Sequence, residues 1–325
     1  MATRSPWLDA VRDSLWARER FSFVPSRVLA PPAGDCSVGT GPRLAFCGFP
    51  SDYSLAFLLA LLDEPVEPAA IVTSPRAHPA ILGENALSQI AGHVGIPLLR
   101  LERINSDASR GQLESLRLDG VIMASFDQIV HAEALTIPRH GWLNVHPSAL
   151  PLYRGPEPVH WAIAEGAART GISLHRAVPT FDAGPLLAHR LVAIAPDDDA
   201  GTLTRRLCAA GVDVLGTAVA RLLADDPGDA LDLDAATYRP AVGHRNLDSA
   251  PSAVAAERLV RAGAPDMPAY TRRGGTVRFA LRAKVLTEGC LDHDLRYPDG
   301  CLRLFATTER CPCDGGEAAC PRLED

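Results

Sequence analysis

Apolar positions change their period several times along the chain. Over residues 6–18, Trp7, Leu8, Val11, Leu15 and Trp16 recur at helical spacing, which predicts an amphipathic helix packed on the body of the protein. Residues 29–42, rich in Pro and Gly, read as a linker. From Arg43 onward short apolar runs alternate with helical periodicity: "RLAFCG" precedes "DYSLAFLLALL", "AAIVTS" precedes a helix around "ENALSQIAGHVG", and "DGVIMAS" leads through a turn to "GWLNVH". Such runs predict parallel strands joined by right-handed crossovers, the pattern of a doubly wound α/β sheet. Two further strand-like runs, "TGISLHRAV" and "HRLVAIAP", flank the polar loop "PTFDAGP", and a helix is expected over 202–223. Beyond a Pro-, Gly- and Asp-rich stretch, a helix near "SAVAAERLVRAG" and the β-like runs "TVRFALRAKVL" and "GCLRLFAT" predict a small β-rich domain. The chain thus divides into a helical extension and linker (1–42), an α/β domain (43–225), a linker (226–250) and a β-rich region with a Cys-rich tail (251–325).

Composition narrows the function classes. At 325 residues and 47% hydrophobic, the chain can bury at least one full core. No window approaches the apolar length of a membrane span, and "MATRSPWLDAVRDSLWARER" lacks the apolar core of a signal peptide. The expected location is the cytoplasm, with no membrane partner. A net charge of −7 disfavours a nucleic-acid partner, although one local basic face could hide inside an acidic total. Gly48 stands alone in the first strand–helix turn, so a dinucleotide cofactor is not supported. Five of the eight cysteines, Cys290, Cys301, Cys311, Cys313 and Cys320, fall in the last 36 residues. The expected compartment argues against a disulfide framework. Cys-x-Cys followed by a six-residue gap lacks the paired knuckles of common zinc modules, so no metal is expected there.

One stretch carries candidate chemistry. In "NVHPSALPLYRG" the side chains of Asn144 and His146, two apart on an extended strand, leave the same face and can converge on one bound atom. Ligands of open α/β sheets bind beyond the carboxyl ends of the strands, which is where this pair lies. Pro147, Pro151 and the turn through Gly155 stiffen the backbone just after it. Asp182 follows in a loop whose Gly184 and Pro185 mark a sharp turn. Taken alone, the pair also reads as a strand-end hydrogen-bonding Asn and a partly buried His. His175, on a strand-like run, reads as a structural hydrogen-bonding residue, and His160 and Trp161 read as packing.

"NVHPSALPLYRGPEPVHWAI", "TGISLHRAVPTFDAGPLL" and "IAPDDDAGTLTRRL" together resemble the folate-dependent formyltransferases. The resemblance runs from about Arg43 to Leu223 and continues more weakly through "ATYRPA" and "RLVRAGAPDMPAYTRRGG". It implies a Rossmann-like formyltransferase domain followed by a small OB-like one. It implies Asn144, His146 and Asp182 as catalytic residues and N10-formyltetrahydrofolate as formyl donor, with no metal required. The pterin is expected against Ser125, Phe126, Asp127, Gln128, Ile129 and Val130 on one side and Pro179, Thr180 and Phe181 on the other. Tyr153, Arg154, Gly155 and Pro156 are candidate acceptor contacts.

The chemistry can also be reached from the residue types. An amine attacking a formyl carbonyl places negative charge on the carbonyl oxygen, which preorganised donors must stabilise. Asn can donate without titrating, His can donate and shuttle a proton, and Asp can orient and charge-balance the imidazole. The tRNA-directed members of the family carry a Lys/Arg-rich insertion after the second strand. Here "TSPRAHPAILGENALSQ" is short, with one Arg. A small amine, such as an amino sugar or sugar nucleotide, is therefore the expected acceptor. The rivals are methionyl-tRNA formylation, formyltetrahydrofolate hydrolysis and a non-catalytic folate-binding or scaffold role.

Overall fold

The computed structural model describes residues 5–22, 41–75 and 85–309. The expected linker at 29–42 therefore lies mostly outside the described residues, as do most of the loop at 73–89 and the cysteines Cys36, Cys311, Cys313 and Cys320. Helix α1 (Pro6–Trp16) precedes an α/β unit. The unit comprises β1 (Arg43–Gly48), α2 (Asp52–Leu61), β2 (Glu67–Thr73), α3 (Ala86–Val94), β3 (Leu98–Arg100), α4 (Asp107–Ser115), β4 (Gly120–Ala124), α5 (Ala132–Leu135) and β5 (Trp142–His146). It is completed by α6 (Pro158–Ala164), β6 (Arg169–Arg176), β7 (Leu186–Ala193) and α7 (Ala200–Leu223). Then follow α8 (Ala253–Gly263), β8 (Tyr270–Arg273), β9 (Thr276–Leu286), β10 (Leu295–Tyr297) and β11 (Gly300–Thr308).

The large sheet has seven strands in the order β3-β2-β1-β4-β5-β6-β7. Strands β1 to β5 are parallel, whereas β6 runs antiparallel to β5 and β7 antiparallel to β6. Both faces are covered, as period-two burial shows. Leu44 and Phe46 of β1 and Leu143 and Val145 of β5 enter one core with α1, α2, α3 and α7, while Ala45, Cys47 and Trp142 enter the other. Asn144 and His146 share the face of Trp142, at the carboxyl end of β5, where loops replace the covering layer.

The N-terminal residues are built into this body. Ser5 caps α1. Past the helix, Arg18 pairs with the buried Asp52, the Phe21 amide donates to Gly201 O at 3.1 Å, and Ser22 Oγ donates to Asp266 Oδ1 at 2.5 Å. The smaller sheet is antiparallel, order β10-β11-β9-β8, and α8 packs on it through Ala256 and Val260. Its exposed positions carry Arg272, Arg273, Arg278, Arg282, Lys284 and Arg296, so a local cationic region does exist inside the acidic total.

One sequence expectation is corrected here. Cys290 and Cys301 form a disulfide, against the compartment argument. Cys290 follows β9 and Cys301 lies in β11, and the antiparallel β9–β11 register brings their Cα atoms to 6.1 Å, within bridging reach. The stretch expected as a linker, 226–250, is also laid against the α/β body. Leu186 and Asp229 exchange backbone hydrogen bonds at 2.8 Å, and residues 237–239 run beside 151–155.

Candidate active site

The site is assembled by the reversal of β6. Because β6 is antiparallel to β5, His175 stands directly opposite Asn144. The loop after β6 then folds back over the same face and carries Asp182 to it. Gly184 permits that fold, since a Cβ there would lie 1.8 Å from Arg176 O. Asn144 Nδ2 lies 3.1 Å from His175 Nε2 and donates to Asp182 Oδ1 at 3.2 Å. His175 Nδ1 donates to Arg176 O at 3.0 Å, which orients the ring so that Nε2 faces the Asn144 amide and, at 3.7 Å, Asp182 Oδ1.

His146 is buried and its Nε2 donates to Tyr153 O at 3.0 Å. Its Nδ1 is therefore the proton-accepting nitrogen, 3.6 Å from Asp182 Oδ2. Burial pushes the His146 imidazole below its ordinary value, and His175 and Arg154 add to this. The Asp182 carboxylate and the Tyr153 carbonyl offset part of it. The neutral ring is thus the resting form at neutral pH. Burial alone would raise Asp182, but His146, the nearby His175 and the Gly155 N–H, which donates to Asp182 Oδ2 at 3.0 Å, together hold its carboxyl below the usual range. The result is a buried carboxylate facing a neutral base.

The turn after His146 is held from outside. The Tyr153 amide donates to Thr237 Oγ1 at 2.8 Å, the Arg154 amide to Thr237 O at 2.9 Å, and the Arg239 amide to Arg154 O at 2.8 Å. Arg154 Nε and Nη2 both donate to Phe181 O, at 2.9 and 2.6 Å, tying this turn to the Asp182 loop. Gly155 has φ +117, and a Cβ on it would meet Arg239 O at 2.0 Å, so only glycine lets the two segments touch. Three non-glycine residues of the site have positive φ: Ser125 (+56), Tyr153 (+56) and Asp182 (+46). Such backbone persists only where its surroundings over-determine it.

The candidate donor loops divide by role. Ser125 O accepts from the Phe49 amide at 2.7 Å. Gln128 bridges Leu101 O and the Ile104 amide, each at 2.8 Å, and Val130 is buried, so these two side chains are committed to packing. Phe126 is half-buried, while Asp127, Ile129, Pro179, Thr180 and Phe181 are exposed. Exposed apolar side chains on loop backbone suit a flat heterocycle such as a pterin. Of the candidate acceptor residues, Pro156 is exposed and Tyr153 and Arg154 are half-buried beside His146. His160 packs against α8, with Nδ1 donating to Ala262 O at 3.2 Å, and Trp161 Nε1 donates to Pro240 O at 2.9 Å. Among the described residues no cluster of metal-ligating side chains occurs, and no helix is long and apolar enough to cross a membrane.

The family profile described as "Formyl transferase" matches residues 63–219. A methionyl-tRNA formyltransferase of Roseiflexus sp. (strain RS-1) is 34% identical over 261 residues, which is 77% of this chain and 79% of that protein. The methionyl-tRNA formyltransferase of Roseiflexus castenholzii is 38% identical over 177 residues, so this chain spans about half (56%) of that relative's length. Among solved structures, an N-formyltransferase from Helicobacter canadensis, in complex with folinic acid and dTDP-3-aminofucose, superposes with a TM-score of 0.58. The match has 15% identity and covers 82% of this chain and all of that one (100%). At that identity the likeness is one of fold.

Proposed function

Because this chain belongs to the formyl transferase family, we propose that it moves the formyl group of N10-formyltetrahydrofolate to the amine of a small acceptor such as an amino sugar or sugar nucleotide. The donor supplies the activated formyl group, and the chain's own residues position and discharge it. The amine nitrogen bonds to the formyl carbon while His146 takes its proton at Nδ1, and the resulting imidazolium closes on Asp182 Oδ2. When the tetrahedral oxyanion collapses the C–N10 bond breaks, and the proton held by His146 passes to N10, which leaves as tetrahydrofolate. Asn144 exchanges its longer bond, to Asp182, for one to the formyl oxygen as charge develops there. His175 holds the amide in the plane for that donation. Backbone and exposed side chains of 125–130 and 179–181 flank the pterin. No covalent link to the protein is needed.

The observation that supports a small acceptor is the rim beside His146. It carries the exposed side chains of Leu152, Phe181 and Tyr238, and the guanidinium groups of Arg154 and Arg239 beside them are already bonded, to Phe181 O and to Glu165. A phosphodiester strand calls instead for cations free to meet it. Methionyl-tRNA is the second reading, favoured by the names of the curated relatives and by the cationic exposed positions of β8–β10. Incubation with N10-formyltetrahydrofolate and, separately, an amino-sugar nucleotide panel, methionyl-tRNA or buffer alone discriminates the readings. Tetrahydrofolate release with formylated sugar nucleotide is expected. Faster formylation of methionyl-tRNA, with steep salt dependence, would overturn the small-acceptor reading, and release in buffer alone would point to hydrolysis.

A further inference from the structure

We propose that Tyr238, on the stretch between the two sheets, is a specificity-determining contact that receives a ring of the acceptor, so that the site is completed by a residue outside the α/β unit. The proposal rests on the small-acceptor reading above. Tyr238 bridges to Arg154 in a short parallel pairing, and the residues on either side of it are fixed by backbone hydrogen bonds to 151–155. Its ring lies against Gly155, where a Cβ would come within 3.3 Å of Cε2. Gly155 is the residue whose N–H holds the Asp182 carboxylate, so the ring stands one residue from the reacting groups. Phe181, which immediately precedes Asp182, meets it edge to face at 6.3 Å between centroids.

Despite these anchors Tyr238 remains 56% exposed, and Phe181 and Leu152 beside it are 38% and 42% exposed. Folding does not explain an aromatic cluster held open at the mouth of a polar site, because the rings would gain more by being covered. A rigid aromatic face with few rotatable bonds suits stacking against a ligand ring. Phe181, edge to face with the ring, is the partner that fixes its angle, and the exposed part of Tyr238 is left to meet the acceptor's ring. The shared ligand chemistry is a ring with an apolar face, either a pyranose carrying the amine or a nucleobase joined to it.

The test compares three amines in full-length protein with N10-formyltetrahydrofolate: a free 3-amino-3,6-dideoxyhexose, its thymidine diphosphate conjugate, and putrescine as a ringless control. In wild type the ring-bearing amines should be preferred. Tyr238→Ala should lower kcat/KM for them by roughly 5- to 150-fold, the range for loss of one stacked ring. Putrescine should change by less than about fivefold. A loss confined to the conjugate assigns the base, and a loss on both assigns the pyranose. Tyr238→Phe should recover most of the preference. Leu233→Ala, an exposed apolar deletion on the same stretch, should not reproduce the loss. Equal losses on all three amines, or a ring preference that survives Tyr238→Ala, overturn the proposal. A wild type that binds donor but formylates none of the three, while formylating methionyl-tRNA, overturns the acceptor reading itself and with it this assignment.

Discussion

Asp182→Asn is the sharpest perturbation available at this site. Asn tolerates positive φ better than other residues, so the backbone at φ +46 should persist. The amide also keeps one oxygen to accept from the Gly155 N–H or from Asn144. What disappears is the charge opposite His146. With an effective dielectric near 20, a unit pair at the observed 3.6 Å is worth about 4–5 kcal/mol. At 1.36 kcal/mol per decade that is roughly a thousandfold. The amide dipole retains part of it, so kcat should fall about 10²- to 10³-fold. The pH profile supplies a signature of its own. Asp182 raises the His146 pKa against the lowering effect of burial, so removing the carboxylate should move the acid limb of kcat to lower pH even as the plateau collapses. Single-turnover formyl transfer from pH 5 to 9, with donor Kd measured by fluorescence titration, reads both effects. A loss under about fivefold, an acid limb that moves upward, or a loss that appears in donor Kd would refute the charge-partner role.

Further outcomes follow from the same geometry. Asn144→Ala and His146→Ala should each lower kcat by about 10²- to 10³-fold or more, and the double variant should lose far less than the product, because both act on one step. His175→Leu removes one of the two partners of the Asn144 amide and should lower kcat about tenfold with donor Kd unchanged, and His175→Gln should restore part of it, as kinetics on the purified variants will show. Gly155→Ala should destabilise the protein by about 1–3 kcal/mol in denaturant titrations, since the new Cβ meets Arg239 O at 2.0 Å. Reducing the Cys290–Cys301 disulfide should lower Tm, by removing about 2–4 kcal/mol of stabilisation, without changing donor Kd.

Much of the α/β unit is legible in the sequence because its strands are buried on both faces and its helices have a different period. The shared face of Asn144 and His146 follows from two-residue spacing alone. Direction is another matter. An apolar run announces β6 but not that it runs against β5, and only that reversal sets His175 opposite Asn144. Strands as short as Leu98–Arg100 and Leu295–Tyr297 give too few positions for a period to register. Residues 237–239 read as linker because their bonds to 151–155 run largely through backbone, to which composition is blind. The Cys290–Cys301 pairing likewise depends on strand register, which cysteine spacing does not encode.

The way residues 18–22 are tied down has a consequence for biosynthesis. These residues are made well before their partners: Arg20 waits for Asp199, 179 positions later, and Ser22 for Asp266, 244 positions later. Contacts of such separation close last, after the entropy of a long intervening chain has been overcome. Until then the apolar side of α1, with Trp7, Leu8, Val11 and Leu15, lacks part of its final setting. A nascent chain released before Asp266 would present that side to chaperones and proteases. Residues 18–22 thus act as a late-closing latch, shut only once Asp199 and Asp266 have been made.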